Sequence, residues 1–568
     1  MRRITWMLSA SACGWLLATP DLLAQETLDA VDDIVESERQ RPRQGDIETR
    51  VDLPSDAMPG ASQPVMIKHI RFLGDSVLDL AELSHGLQAM IGRSVSRADI
   101  EAELQTINDA YQKRGYPLSF AYLPAKNVEE GQLRIVLVEG HIARTEIVLD
   151  DEAVAARVEH LVAPLLDERP LTRATFERVT GLIERIPGAR LSLRAPVPRT
   201  PNGATTLRVE QRRIDHFDYS GSLNGGDEQD TLFINRVATK SLTSHADTLG
   251  FSWLWPVEND NEFYALDYRQ AIGNDGLMIS ASADSYRGQD EDNLTLRAAG
   301  DRFDLDQRQD TDRERYRLGL DYPLLLSRQQ SLTLSGALTH RDERKTTRID
   351  FEGQTLRQLD DDIAYSAAEV DLRYQRQNDA TLWQGGIGVR QGMDLGANTT
   401  DRRLDGNPID PNADLHFTHW RLNGEWRRLF AERWRLSASA DAFYSDDALP
   451  EPERGSYGGQ RFGRGYDAGQ AEGDSGYAGS LELRYLQPID AGWISRLAPY
   501  VAIDGARTQF HDLDLDSHLA SAAFGIQLSK GRLYGLTLEY AEPLGDKDTD
   551  TDSREGRVNA RLRWNFEG

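Results

Sequence analysis

Cysteine is nearly missing from this chain of 568 residues: the single one, Cys13, lies in an apolar stretch at the N-terminus. With no second thiol there is no intrachain disulfide, and no cysteine zinc site or downstream thiolate nucleophile. Long hydrophobic runs are missing as well. Only 39% of the residues are apolar and the mean hydropathy is negative, which excludes a bundle of membrane helices. Positive charge is in deficit, with 65 Lys and Arg against 92 Asp and Glu and a formal charge of −27. Nucleic acid is therefore not an expected partner, because its phosphates need a basic face. Catalytic sets are missing too: there is no His-Glu-x-x-His, no Gly-x-Ser-x-Gly in a strand-turn-helix setting, and no Gly-Lys-Ser/Thr phosphate loop. The acid clusters Asp360-Asp361-Asp362 and Asp548 to Asp552 fall in stretches that read as loops. They are taken as solvated surface, with weak calcium binding as the rival reading. No catalytic residue, cofactor or metal site is expected.

What is present begins with a leader. Arg2-Arg3, an apolar core from Ile4 to Ala18, Pro20 and Leu22-Leu23-Ala24 form the pattern of a secretory signal over 1–24, cut after Ala24. The polar context of a twin-arginine signal is missing around the Arg pair. Cys13 is a poor lipoprotein acceptor, because Ala10 stands where that motif prefers Leu. In 25–62, Leu28, Val31, Ile34 and Val35 recur at helical spacing among acids, and a Pro-, Gly- and Ser-containing linker follows. The helix either docks somewhere or is a frayed tail.

Residues 63–142 carry a β-α-α-β-β pattern. Ile67, Ile70 and Phe72 suggest a strand ending at Gly74, and a helix is expected over about Leu78 to Met90. Ser96 with Asp99 three residues on reads as the cap of a second helix, whose Ile100, Leu104, Ile107 and Tyr111 share one face. Strands over Ser119 to Pro124 and Gln132 to Val138 close the unit. The spaced set Tyr111 to Pro117, Leu123-Pro124, Glu130-Gly131 and Leu133 to Ile142 resembles a polypeptide-transport-associated (POTRA) domain of the two-partner secretion transporters. Residues 143–213 repeat the order of elements, with Thr172 capping a helix and Pro187-Gly188 breaking the chain, so a second such domain is expected there.

From 214 to 568, period-two alternation takes over. Leu249, Phe251, Trp253 and Trp255 alternate with Gly250, Ser252 and Leu254; Tyr316, Leu318, Leu320, Tyr322 and Leu324 alternate with Arg317, Gly319 and Asp321. The last strand sets Val558, Ala560, Leu562, Trp564 and Phe566 against Asn559, Arg561, Arg563 and Asn565. A soluble sandwich hides its apolar face, whereas a transmembrane barrel turns that face to lipid and its charged face to the lumen. Charge on the second face, aromatics near strand ends and long polar connections alternating with short ones favour the barrel. The expected fold class is thus α+β POTRA domains followed by an all-β barrel of about sixteen antiparallel strands, at roughly ten residues per strand plus loops.

One stretch inside the barrel region is unusual. Gly458-Gly459-Gln460-Arg461-Phe462-Gly463-Arg464-Gly465-Tyr466-Asp467, followed by Gly473-Asp474-Ser475-Gly476, sets a lone Arg among glycines in an apolar-poor loop. In the later segment Ala498 to Ala506, Val501 and Ile503 share a face and Asp504 points the other way, into the expected lumen. A wall carboxylate short of water needs a compensating charge, and Arg464 can supply a two-point contact, with Glu482 as a second acceptor. This pattern again resembles the two-partner secretion transporters of the haemolysin and filamentous haemagglutinin type. The resemblance implies that the loop folds into the barrel, that the tip Phe462, Gly463, Arg464, Gly465 and Tyr466 pairs with Asp504, and that Gly473, Asp474 and Gly476 belong to the downstream motif. Gly463 departs from relatives, which commonly carry a larger aliphatic there. The resemblance also implies a monomer in outer-membrane lipid with its POTRA domains in the periplasm, a plug made by the N-terminal helix, and an unfolded secreted exoprotein as partner. The alternative is an assembly factor for other outer-membrane proteins; a passive porin or adhesin leaves the periplasmic domains without a purpose.

Overall fold

The computed structural model describes residues 64–567 apart from 125–127, 227–228, 256–260, 299–300, 397, 412, 512–514 and 548–552. The expected signal peptide (1–24) and plug-like helix and linker (25–62) lie outside the described residues.

The first unit comprises β1 (Val65–Met66), β2 (His69–Leu73), α1 (Leu80–Leu83), α2 (His85–Gln88), β3 (Ser94–Val95), α3 (Arg97–Lys113), β4 (Phe120–Tyr122), β5 (Val128–Glu129) and β6 (Gln132–Val138). α3 starts where the sequence places it. The Ser96 hydroxyl accepts from the Asp99 amide at 3.2 Å, and the Asp99 carboxylate accepts from the Ser96 amide at 3.0 Å. Its apolar face, Ile100, Leu104, Ile107 and Tyr111, is buried against Leu133, Ile135 and Leu137 of β6. The single helix expected from Leu78 to Met90 is instead two one-turn pieces. Asp79 caps the first by accepting from the Ala81 amide, and the chain turns at the buried Ser84 so that Leu87 reaches the core.

The second unit has β7 (His141–Val148), α4 (Glu152–Asp167), α5 (Arg173–Ile183), β8 (Ala189–Arg194) and β9 (Ala204–Ile214). The two sheets have one topology. β6 lies parallel to β2 and antiparallel to β4, and β9 lies parallel to β7 and antiparallel to β8. The second unit does not close its own core. Ala246, Ala271 and Leu326, from the near ends of barrel strands and their turns, sit in the same buried cluster as Val158, Leu161, Val179 and Leu182. Arg157 Nη1 donates to the Gly273 carbonyl at 2.8 Å, and Arg178 Nη2 donates to the Asp275 carbonyl at 2.8 Å.

The barrel follows as β10 (Phe217–Gly226), β11 (Gln229–Lys240), β12 (Thr248–Trp255), β13 (Glu262–Ile272), β14 (Leu277–Ala298), β15 (Asp301–Leu326), β16 (Gln330–Phe351), β17 (Gln354–Gln377), β18 (Thr381–Met393), β19 (Thr399–Leu404), β20 (Asn407–Ile409), β21 (Thr418–Phe430) and β22 (Trp434–Tyr444). It continues as β23 (Gly455–Tyr457), β24 (Ala471–Gly473), β25 (Ser475–Tyr485), β26 (Gln487–Pro488), β27 (Arg496–Gln509), β28 (Asp516–Lys530), β29 (Tyr534–Pro543) and β30 (Arg557–Glu567). Sixteen of these make a closed antiparallel barrel, sealed where β10 pairs with β30 from Asp218↔Glu567 to Gly226↔Asn559. β19–β20 and β26 are additions to its sheet, and β23–β24 form a separate hairpin.

The alternation has the outward sense required in lipid. Leu249, Phe251 and Trp255 are exposed while Ser252 and Leu254 are buried, and Tyr316, Leu318 and Leu320 are each at least half exposed. A water-soluble surface does not carry apolar residues so densely. Short turns close the end of the barrel that meets the second unit. At the other end β14 to β17 run 22 to 26 residues, far beyond the roughly ten needed to cross a bilayer, and form a tall wall. Asp360, Asp361 and Asp362 lie within this wall, in β17 rather than in a loop. In that order they pair in register with Thr346, Lys345 and Arg344 of β16 and with Arg403, Arg402 and Asp401 of β19.

Candidate functional site

The chain between β22 and β25 turns back into the barrel and carries the glycine-rich stretch. Its two arms pair as the β23–β24 hairpin. Asp474 fastens the base: its carboxylate accepts from the amides of Leu449 (3.0 Å) and His511 (2.8 Å), and its own amide donates to the Gln509 carbonyl. Gly473 and Gly476 flank it where space is short. A Cβ on Gly473 would lie 2.5 Å from the Gln509 carbonyl oxygen, and one on Gly476 would lie 2.7 Å from the Phe443 ring.

An apolar cluster inside the lumen holds the loop. Phe462 and Tyr466 are buried with Phe443, Tyr457, Ala471, Ala478, Ala506 and Leu519. Phe462 meets Tyr457 edge-on with 5.8 Å between centroids. The wall beneath the tip is built of small inward residues, since Asp504 pairs in register with Ser480 on β25 and Ser521 on β28, and Ala502, Ala523 and Ala541 form a buried patch beside them. Small side chains leave the volume that the loop fills.

At the tip, backbone and side chain divide the work. The Gly463 amide donates to Asp504 Oδ1 at 2.6 Å, the Arg464 amide reaches the same oxygen at 3.3 Å, and the Gly465 amide donates to Ser521 Oγ at 3.0 Å. Three successive amides pointing at one wall make an anion-binding concavity. Gly463 holds φ +80°, a left-handed backbone, and a Cβ there would stand 2.8 Å from Leu519. Glycine at 463 thus coincides with a turn that lets the amides of residues 463 and 464 share one carboxylate oxygen.

The Arg464 guanidinium sits among three carboxylates. Its shortest contact is Nη1 to Glu539 Oε2 at 2.6 Å; Asp504 lies 3.5 Å from Nε and Glu482 3.8 Å from Nη2. Glu539 also accepts from Tyr500 OH at 2.8 Å, and Asn559 donates to the Arg464 carbonyl at 3.2 Å. Tyr466 OH donates to the Asp546 carbonyl and accepts from the Gly545 amide, each at 2.9 Å, while Arg557 pairs with Asp467. Glu539, Tyr500, Ser521 and Asn559 had no expected role at the tip. Glu539 was visible only as an acid alternating with Leu538 and Tyr540; nothing in the sequence sets β29 beside the tip.

A second attachment, also unread from sequence, holds the first arm to the opposite side. Glu453, in a one-turn 3-10 helix (Glu451–Glu453), accepts from Arg390 of β18 at 2.8 Å (Nε) and 2.9 Å (Nη2), and from Tyr365 OH at 2.6 Å. Arg390 also donates to Glu369 at 3.0 Å. The loop is therefore fixed on β27–β29 at its tip and on β17–β18 at its arm, and crosses the lumen as a bar. Below it, a cavity of about 2780 Å³ runs down to α5 of the second α/β unit, with Leu182, Arg185, Arg464 and Glu482 on its lining. Among the described residues no group of His, Cys, Asp and Glu is arranged to hold a metal.

A lipid-facing sixteen-strand barrel, entered from two α/β units and spanned by an inward loop, has the construction of an outer-membrane polypeptide transporter. The chain belongs to the family described as haemolysin secretion/activation protein ShlB/FhaC/HecB, whose model matches residues 216–528, and a POTRA domain of ShlB type matches residues 65–140. It is a two-partner secretion transporter of the outer membrane. Among similar proteins, the heme/hemopexin transporter protein HuxB of Haemophilus influenzae (strain Rd) is 20% identical over 501 residues, covering 84% of this chain and 82% of the relative. The outer membrane transporter CdiB of Escherichia coli is 22% identical over 477 residues, covering 81% and 76%. In fold, the chain is similar to the solved CdiB structures from Escherichia coli (TM-score 0.68, 18% identity, 97% and 99% covered) and Acinetobacter baumannii (TM-score 0.61, 13% identity, 96% and 98% covered).

Proposed function

We propose that this transporter captures its unfolded exoprotein in the periplasm and threads it past the inward loop, whose docked state braces the closed lumen. On this reading 63–142 and 143–213 are tandem POTRA domains, 214–568 is a barrel acting as a monomer in outer-membrane lipid, and the acidic N-terminal segment is a plug. Among the described residues β2 and β7 each have a strand partner on one side only, so an extended segment of the exoprotein can add there by backbone hydrogen bonds. The observation that carries the reading is the continuity of the cavity from α5 to Arg464: the second unit opens into the lumen that the loop spans. Transport needs no nucleotide on this route, and directionality comes from folding of the cargo outside. The test is secretion of the co-encoded exoprotein by Arg464→Ala and Asp504→Ala variants whose barrels assemble normally. Loss of secretion in both is expected; normal export by both sinks the role given to the loop.

A further inference from the structure

The lumen carries the opposite charge to the molecule that contains it. Among the described residues, 23 arginines and one lysine line the cavity against 15 carboxylates, in a chain with formal charge −27. Partners just behind the lining do not cancel the excess. Bringing in Lys345, which pairs with Glu451, and the carboxylates Asp215, Asp218, Asp504 and Glu539, which pair with lining cations, leaves the cations six ahead. The guanidiniums are packed closely enough on the wall to share acids. Glu369 on the wall is shared by three guanidiniums, in contact with Arg317 and at 3.0 Å from Arg390 and 3.3 Å from Arg421. Glu453 and Asp371 complete the pairing of Arg390 and Arg421 there, so the excess belongs to the lining as a whole rather than to this cluster.

Acids thus concentrate on the rest of the chain and cations on the inner wall. A water-filled passage bounded by low-dielectric walls focuses the field of its lining, so an excess of several charges sets which counter-charges accumulate inside. Small anions can satisfy such a wall in the resting protein. During transport the object occupying the passage is an extended polypeptide, and its side chains must lie against these guanidiniums. We infer that the lumen selects by charge, holding acidic, Lys- and Arg-poor stretches of the exported polypeptide during passage and disfavouring basic ones. The inference rests on the transporter reading and adds the chemical class of segment the passage accepts.

The test uses the full-length protein in detergent and two fluorescent 20-residue peptides, one of Gly, Ser and Asp and one of Gly, Ser and Lys. Binding is followed by anisotropy at low and at 0.5 M salt. The acidic peptide is expected to bind about tenfold or more tightly than the basic one at low salt, with the preference collapsing at high salt. Arg212→Glu, Arg328→Glu and Arg373→Glu together place three acids on the lining at exposed positions outside the loop contacts, and are expected to erase the preference. Arg71→Glu, Arg93→Glu and Arg199→Glu, exposed and away from the cavity, are expected to leave it intact. Equal or tighter binding of the basic peptide overturns the inference, as does an acidic preference that follows the outer set rather than the lining set. Retention of the preference by the lining triple variant overturns it too. None of these outcomes touches the loop's role, which secretion by the Arg464→Ala variant decides separately.

Discussion

Removing the Arg464 side chain is the sharpest perturbation of the loop. Arg464→Ala strips the guanidinium from between Glu539 at 2.6 Å, Asp504 at 3.5 Å and Glu482 at 3.8 Å, and leaves those carboxylates together inside the barrel. Breaking a buried pair from one side costs about 3–5 kcal/mol, because the remaining charge stays desolvated. The three tip amides, the Phe462 ring and the Tyr466 hydroxyl still hold in the variant, so the loss falls on the docked state rather than on the barrel. At 1.4 kcal/mol per tenfold, the docked-to-undocked ratio falls by about 140- to 3700-fold. The scarcity of cysteine makes this measurable. With Cys13→Ser as background, Leu519→Cys puts a single thiol in the wall under the tip, buried against Gly463, Phe462 and Tyr466. Labelling by a bulky impermeant maleimide then reports how often the tip leaves the wall. The rate should rise by about the factor above when Arg464→Ala is added, limited by the label's own chemistry. An unchanged rate, with the barrel folded, refutes the claim that this ionic cluster seats the tip.

Gly465→Ala places a Cβ 2.6 Å from the Pro543 nitrogen and 2.9 Å from the Glu542 carbonyl carbon, which are backbone atoms, so the tip should lift at a cost of about 1–3 kcal/mol and label faster at Leu519→Cys. Glu453→Gln keeps the shape but removes the charge facing Arg390. It should loosen the arm by about 2 kcal/mol and raise labelling of a thiol at Ser456→Cys more than at Leu519→Cys. His216 joins the second α/β unit to the barrel through Nδ1 to the Lys240 carbonyl and Nε2 to Asp151, each at 2.8 Å. Both partners are acceptors, so the imidazolium satisfies both; the carbonyl first and the carboxylate next hold its pKa above the usual 6.5. The contact therefore contributes fully below about pH 6.5 and is lost as pH rises through the raised value. A fluorescence-transfer pair across this junction should report loosening on the alkaline side, and His216→Gln should remove that pH dependence.

Period-two alternation marked the barrel region because lipid and lumen impose opposite chemistries on the two faces of a strand, and no tertiary detail is needed to see it. The capping box at Ser96 and Asp99 was legible for the same local reason. The expected helix over Leu78 to Met90 was not, because its break at Ser84 is set by how Leu87 must enter a core formed by α3. At the loop, Arg464 and Asp504 stood out through glycine spacing and lumen parity, and they do meet. The division of roles between them was hidden: Asp504 takes two tip amides, while the guanidinium lies closest to Glu539. That assignment depends on the register of β27 to β29, which no local pattern encodes, and the Glu453–Arg390 attachment depends on residues 63 positions apart.

The uneven height of the barrel rim gives the outer face of the molecule a front and a back. β15 alone spans 26 residues, so about 15 of them, or roughly 50 Å of strand, stand clear of the bilayer. β29 and β30 run only 10 and 11 residues. A bulky object above the pore, whether an antibody, a phage fibre or a neighbouring cell's receptor, meets a polar palisade on one flank and, among the described residues, much shorter strands on the other. On the transport reading proposed above, the tall flank would shield emerging chain from one side.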